Sequence, residues 1–325
     1  MADVASRAGV SLKTVSRVIN GEPRVAPATA AAVQAAVREL GFRSNHAAAT
    51  LARGRGVATI GLLIGAVDDP FYARLTSGVE QVARAHRHTV LVSPTEEDAG
   101  LERNAALSLA ARQVDGVIMV PCAPDQGYLA PDVAAGLAVV FVDRPPHGLD
   151  ADCVLSDNRA GAQDGTARLL AAGYRRIAFV GNDTSVYTSA ERLAGFLAAH
   201  AELGLAVHEE LVALGPRTVA EAEAAARALL DSAEPPQAIF AQNGLTTMGV
   251  WRAVHALGRP VGLVGFDDFA LADVLQPPVD VVAQDPVELG RQSAQLLFDR
   301  LADPGRPVRR TVLPTHLVTR NAPRP

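Results

Sequence analysis

The sequence predicts two fold classes in one chain: an N-terminal all-α helix-turn-helix headpiece, then an α/β core of two doubly wound parallel-sheet subdomains. Three observations carry this. Residues 3–20 hold two short stretches of helical apolar periodicity joined across a glycine. From Val57 onward, near-continuous apolar runs of the buried parallel type alternate with helical patterns, in two series. At 325 residues the chain is too long for one small core, and its 49% apolar and 20% charged residues are those of an ordinary globular protein.

In the first stretch Val4, Ala5 and Ala8 form one apolar face, and Gly9 supplies the positive φ that ends a helix. Ser11 is a good N-cap for the next helix, since its hydroxyl accepts from an N–H of the first turn. Val15, Val18 and Ile19 recur at helical spacing and point inward, which leaves Leu12, Lys13, Ser16 and Arg17 outside. A second helix with cations on its outer face is the layout of a DNA-reading helix-turn-helix. Gly21-Glu22-Pro23 makes a turn, and a third helix is expected from about Pro27 to Leu40, with Val33, Ala36, Val37 and Leu40 as its buried stripe and Gly41 as its stop. The headpiece is thus residues 1–43, a size that is marginal alone. Residues 44–56 form a linker, in which Asn45 can cap a helix over 46–53 too short to be stable by itself. Residues 1–56 carry eight Lys/Arg against three Asp/Glu, a formal +5, so a chain of net −5 leaves −10 on the rest. A cationic head on an acidic body fits a phosphate-binding module joined to something that should not bind DNA.

In the core, Thr59–Ile64 is the first strand, followed by a helix near 71–86, strand 89–93, helix 100–112 and strands 116–120 and 138–143. The second series runs helix 160–172, strand 176–181, helix 189–203, strand 211–214, helix 219–231, strand 238–241, helix 246–257 and strand 262–266. A helix over 286–302 and a strand over 311–319 then return to the earlier units. The expected division is 57–156 with a return segment at about 285–310, and 157–284 with the final strand at about 311–320. Ligands of open α/β sheets collect at the carboxyl ends of strands, so the pocket is expected in the cleft between the subdomains, with hinge closure as its motion. The candidates just past strand ends are Asp68, Asp69, Phe71, Tyr72, Asp143, Arg144, Asn243, Asp267 and Asp268, with Gln284 in the last crossover and Arg192 on the helix after Asp183–Ser189.

Other classes find little support. The two cysteines, Cys122 and Cys153, make no disulfide framework, so a cytoplasmic setting is expected. No apolar run approaches a membrane span, and Asp3 and Arg7 lie where the apolar core of a signal peptide would begin, which disfavours an exported solute-binding protein. No Gly-x-Gly-x-x-Gly or Gly-Lys-Ser/Thr phosphate loop, metal-ligand cluster or nucleophile elbow is present, so neither an enzyme nor a cofactor is expected. His86 and His88 are spaced poorly for shared ligation and read as surface histidines.

The wording of several segments is more specific than their periodicity. Asp-Val-Ala…Ala-Gly-Val-Ser…Thr-Val-Ser-Arg-Val-Ile-Asn over residues 3–20, Val114-Asp115-Gly116-Val117-Ile118, Val142-Asp143-Arg144, residues 190–196, Val264-Gly265-Phe266-Asp267-Asp268 and residues 313–320 resemble transcription regulators of the LacI/GalR (lactose-repressor) family. The resemblance covers nearly the whole chain and implies a periplasmic-binding-protein-like core. It implies a repressor acting as a homodimer on a pseudo-palindromic double-stranded DNA operator, released or recruited allosterically by a small effector. Ser11, Leu12, Lys13, Thr14, Ser16, Arg17 and Asn20 would face DNA, with Leu12 and Lys13 choosing the operator. Asn45 and Leu51 would belong to a hinge helix that folds on DNA, where Leu51 wedges into the minor groove. Asp143, Arg192, Asn243, Asp267 and Gln284 would line the effector pocket, Arg192 gripping two oxygens at once, while Phe71 and Tyr72 stack on a sugar face. A sugar or sugar derivative is the expected effector and a nucleobase or nucleoside the alternative. The chain departs from the family pattern at Ser44 (usually proline), at Ala49 (usually arginine), at Gly244 (usually aspartate) and in a shortened stretch before Gly262. Met1-Ala2 offers no Ser or Thr cap, so either Asp3 caps the first helix or the true start lies upstream.

Overall fold

A computed structural model describes residues 2–19, 25–40, 58–258 and 260–320, without the side chains of Ala2, Ser16, Ile19 and Arg38. The expected roles of the Ser16 side chain, Asn20, Asn45, Leu51 and the hinge helix over 46–53 therefore lie outside the described residues. The chain divides into two units, residues 1–57 and 58–325.

In the first unit, α1 (Ala2–Ala8), α2 (Leu12–Ile19) and α3 (Pro27–Glu39) enclose a core of Val4, Ala5, Val15, Val33 and Ala36. Gly9 takes φ +65, and Val10 N–H reaches Ala5 O while Gly9 N–H reaches Ser6 O, a Schellman ending for α1. Ser11 caps α2 by accepting from Thr14 N–H at 3.1 Å. Two expectations are corrected. Leu40 lies just past α3 and is 45% exposed, because a core this small closes on Val33 and Ala36. Asp3 stands inside the first turn of α1 rather than before it.

In the second unit the strands are β1 (Thr59–Ile64), β2 (Thr89–Pro94), β3 (Gly116–Met119), β4 (Ala138–Val142) and β5 (Asp152–Ser156), then β6 (Ile177–Gly181), β7 (Val212–Leu214), β8 (Ala238–Ala241), β9 (Gly262–Phe266) and β10 (Asp280–Ala283), and finally β11 (Arg310–Leu313) and β12 (His316–Val318). They build two six-stranded sheets, ordered β11-β5-β4-β3-β1-β2 and β12-β10-β9-β8-β6-β7. The orders are the same motif twice: β6 to β10 repeat β1 to β5. Along β1, Ile60, Leu62 and Ile64 enter one apolar cluster and Leu63 another, as a strand buried on both faces requires.

Helices cover the sheets in close pairs: α4 (Pro70–Ala85) against α11 (Pro286–Ala302), α7 (Asn158–Ala171) against α8 (Tyr187–Glu202), and α9 (Val219–Leu230) against α10 (Gly244–Leu257). Each crossing rests on glycine. A Cβ on Gly78 would stand 2.0 Å from Val287 O, one on Gly290 2.1 Å from Leu75 O, and one on Gly195 2.2 Å from Arg159 O. Helices α5 (Ala99–Ala111) and α6 (Ala130–Ala134) complete the first half.

The expected final strand at 311–320 is two strands. Pro314, with no N–H to donate, breaks it: β11 runs parallel to β5 in the first sheet and β12 antiparallel to β10 in the second. The chain thus crosses between subdomains after β5, after β10 and after β11. At these crossings Asp157 N–H donates to Leu313 O at 2.9 Å.

Candidate functional site

The carboxyl ends of both sheets face a cleft of about 790 Å³ between the two subdomains of the second unit. The repeat places one aspartate on each side. Asp143 follows β4 and Asp267 follows β9; both have φ +70, and their N–H groups donate to Val154 O and Val282 O at 2.9 and 2.8 Å. Aspartate is one of few residues to tolerate this left-handed geometry, which aims a carboxylate into the cleft from each half.

On the first subdomain, Arg144 donates to Glu97 through Nη1 at 2.6 Å and Nη2 at 2.8 Å, and Tyr72 Oη donates to Glu97 at 3.2 Å. This cluster closes over Gly65, where a Cβ would stand 2.6 Å from both Glu97 and Tyr72. Burial raises the Glu97 carboxyl, and the Arg144 hydrogen bonds and charge more than reverse this, leaving it below the usual range. Burial is the largest influence on Asp143, which rises to about 6 despite Arg144 and Arg192, with Asp267 and Glu97 repelling it further. Asp69 caps α4 by accepting from Phe71 N–H at 2.9 Å and is raised by burial and by nearby carboxylates.

On the second subdomain, Arg192 is 4% exposed. Its Nε donates to Asn158 Oδ1 at 2.7 Å, its Nη1 to Gln242 O at 2.6 Å, and its guanidinium lies 3.7 Å from the Phe266 ring centre. Asn243 caps α10 through Thr246 N–H at 2.8 Å, and Gln242 Oε1 accepts from Ser189 at 2.8 Å. A relay joins the halves: Ser156, ending β5, donates to Gln284 Oε1 at 2.6 Å, and Gln284 Nε2 donates to Asp267 Oδ1 at 2.6 Å.

Seven of the expected effector residues, Phe71, Tyr72, Asp143, Arg192, Asn243, Asp267 and Gln284, line the cleft. Asp68 does not: it is exposed in the turn before α4, and Asp69, whose carboxylate caps that helix, takes the place in the wall. Tyr72 is 6% exposed with its hydroxyl bonded, so it pins Glu97 rather than offering an open stacking face; Phe71, set edge-on to it at 5.2 Å, is the more open ring. In Arg192, Nε and Nη1 already hold protein oxygens, so a grip on two ligand oxygens falls to the remaining N–H groups of Nη1 and Nη2. Sequence reading missed Glu97, Gln242, Asn158 and Ser156. Glu97 lies just past the end of β2 and Gln242 directly precedes the noticed Asn243, so the same strand-end rule could have found both.

The chemistry on offer is reversible hydrogen bonding. Burial and the neighbouring Glu102 hold the Cys122 thiol at about 12, which leaves it protonated and a poor nucleophile at neutral pH. No group of His, Cys, Asp and Glu that could hold a metal occurs among the described residues. His86 stacks on Phe298 at 3.9 Å and His88 pairs with Asp115 at 3.3 Å, so both pack rather than ligate. A second recess, about 510 Å³, lies at the amino ends of β9 and β10 beside Trp251 and Tyr174; its charges, the half-buried Arg168 and the buried Asp280, face each other at 3.2 Å. Polar groups converge in the cleft, which is therefore the candidate ligand site. In the headpiece, Leu12 is 54% exposed, Ser11 and Lys13 are exposed, and Thr14 and Arg17 are half-buried along α2.

Comparison with known proteins supplies the family. Residues 57–321 match the family described as periplasmic binding proteins and sugar binding domain of LacI family, and residues 1–45 match bacterial regulatory proteins, lacI family. The chain belongs to the LacI family. Among its relatives, the transcriptional regulator CelR of Thermobifida fusca is 35% identical over 331 residues, covering 98% of this chain and 96% of CelR. The structure of a CelR–cellobiose complex is 32% identical with a TM-score of 0.73, covering 98% of this chain and 97% of that one. A lac repressor bound to ONPG in the repressed state is 26% identical with a TM-score of 0.86, covering 98% and 97%. As in that family, a regulatory helix-turn-helix precedes a two-subdomain parallel-sheet core. No helix among the described residues is long and apolar enough to cross a membrane.

Proposed function

We propose that this LacI-family chain is a repressor that binds a pseudo-palindromic operator as a homodimer and is controlled by a sugar held in the cleft. The observation that carries the effector reading is the matched pair Asp143 and Asp267, one carboxylate from each subdomain in the same left-handed geometry at a strand end. A ring hydroxyl can donate to each, so a polyol gains most when both halves hold it, and binding favours closure of the cleft. CelR, solved with cellobiose, supports a carbohydrate. Asn243 and Gln284 stand beside this pair and Phe71 offers a ring for the apolar face of a sugar.

For DNA, Leu12 and Lys13 project from the first turn of α2, the part of a recognition helix that meets base edges, while Arg17 is assigned to a base or phosphate and Ser11 and Thr14 to positioning contacts. Two such helices in a dimer read two half-sites, which makes the operator an inverted repeat. Selection of duplexes from a randomised pool by the purified protein tests this. The expected product is an inverted-repeat consensus, with its half-site preference altered in Lys13→Ala. Enrichment of no motif, or of a single unrepeated half-site, contradicts the assignment.

A further inference from the structure

We infer that the cleft selects an uncharged, hydroxyl-rich effector and rejects sugars bearing phosphate or carboxylate; this rests on the sugar reading above and narrows it. The first observation is charge. Six carboxylates line the cleft against three arginines, Arg144, Arg192 and Arg217. An incoming anion therefore meets net repulsion in a partly desolvated space, where screening is weak.

The second observation is that the two buried arginines are already engaged. Arg144 holds Glu97 through both terminal nitrogens, at 2.6 and 2.8 Å. Its Nε makes no hydrogen bond but is sealed from solvent, with Asp143 Oδ2 at 3.6 Å. Arg192 is held by Asn158, by the Gln242 carbonyl and by the face of Phe266, with Asp267 at 3.9 Å. At Arg192 a phosphate would have to settle beside the Asp267 carboxylate, 3.9 Å from Nη1. At Arg144 it could reach the guanidinium only by displacing protein groups and would leave Glu97 without its cation. Breaking such a buried pair is costly because the stranded charge stays desolvated. The third cation, Arg217, is exposed, and its charge already acts on Glu97.

The third observation is the sense of the hydrogen bonds still on offer. Asn182 Oδ1, on the cleft wall, is buried with no partner, and the Asp143 and Asp267 carboxylates are acceptors as well. Hydroxyl groups donate to such a wall, whereas an ionised phosphate only accepts. The raised carboxyls of Asp69 and Asp143 record the same environment: burial is the main cause in each, and neighbouring carboxylates push both further up.

The test is calorimetric titration of the full-length protein with matched pairs: glucose and glucose 6-phosphate, ribose and ribose 5-phosphate, cellobiose and 6′-phosphocellobiose, with adenosine as a further arm. For the pair that binds, the uncharged member is expected to bind at least tenfold tighter than its phosphorylated partner. Equal or tighter binding of the phosphorylated member overturns the selectivity while leaving a sugar effector in place. Binding of adenosine alone, or of none of these ligands at millimolar concentration, overturns the sugar reading and this inference together.

Discussion

At the scale of single residues, the site gives up stability for function. Asp143 is buried, sits at φ +70 and has its carboxyl raised from 3.8 to about 6. Because the folded state holds this proton more tightly than the unfolded chain, folding is relatively favoured at low pH and loses that advantage as pH rises through about 6. Asp143→Asn keeps a side chain that tolerates the left-handed region and removes the buried charge. Its unliganded form is expected to be more stable than wild type above about pH 6, by at most about 3 kcal/mol at ~1.36 kcal/mol per pKa unit. The gain should shrink to nothing as pH falls below 3.8, and effector binding should weaken throughout. Thermal melts across this range check it; a variant less stable than wild type at pH 7.5 contradicts the assignment. Gly244, where the family resemblance led to an expected aspartate, is a quieter difference. A Cβ there meets only Phe269 and Asp267 at 3.7 and 4.0 Å, so steric crowding does not account for the glycine.

At the scale of elements, the helix pairs are set by glycines that let backbone meet backbone. In Gly78→Val the new Cβ would fall 2.0 Å from Val287 O, with no flexible side chain to give way. The α4–α11 contact must open, at an expected cost of about 1–3 kcal/mol or more, read as a lower urea midpoint; an unchanged midpoint contradicts this packing. Such crossings are invisible in periodicity, but most of the elements were not. The Gly9–Ser11 turn, the apolar strands and the strand-end acids were legible because each follows from local chemistry. Strands β5 and β10 were not, and for one shared reason. Each begins with a buried aspartate, Asp152 or Asp280, which reads as loop until a distant arginine is seen to neutralise it: Arg300 at 3.0 Å and Arg168 at 3.2 Å. The split of the last strand between two sheets was likewise hidden, since Pro314 marks the break but not where each half goes. Within the site, strand-end residues were found, whereas Ser156 and Asn158 matter only through partners 128 and 34 positions away.

At the scale of the whole molecule, a formal +5 over residues 1–56 and −10 over the remainder separate a phosphate-seeking module from a sensing one. The sensing unit is one sheet motif used twice, crossed by the chain three times, with the Ser156–Gln284–Asp267 relay lying at those crossings. Closure of the cleft on an effector must move the subdomains about these crossings, which is how occupancy can bias DNA binding; couplings of this kind are typically about 1–3 kcal/mol, a 5- to 150-fold change in affinity. The most direct test is operator affinity, measured on a selected duplex with and without the sugar that the protein binds, for wild type and for Gln284→Ala at matched folding. The expected result is at least a fivefold change in wild-type affinity that collapses toward unity in the variant while operator binding itself persists. Operator affinity indifferent to a saturating sugar in the wild type would contradict the proposed link between cleft and DNA.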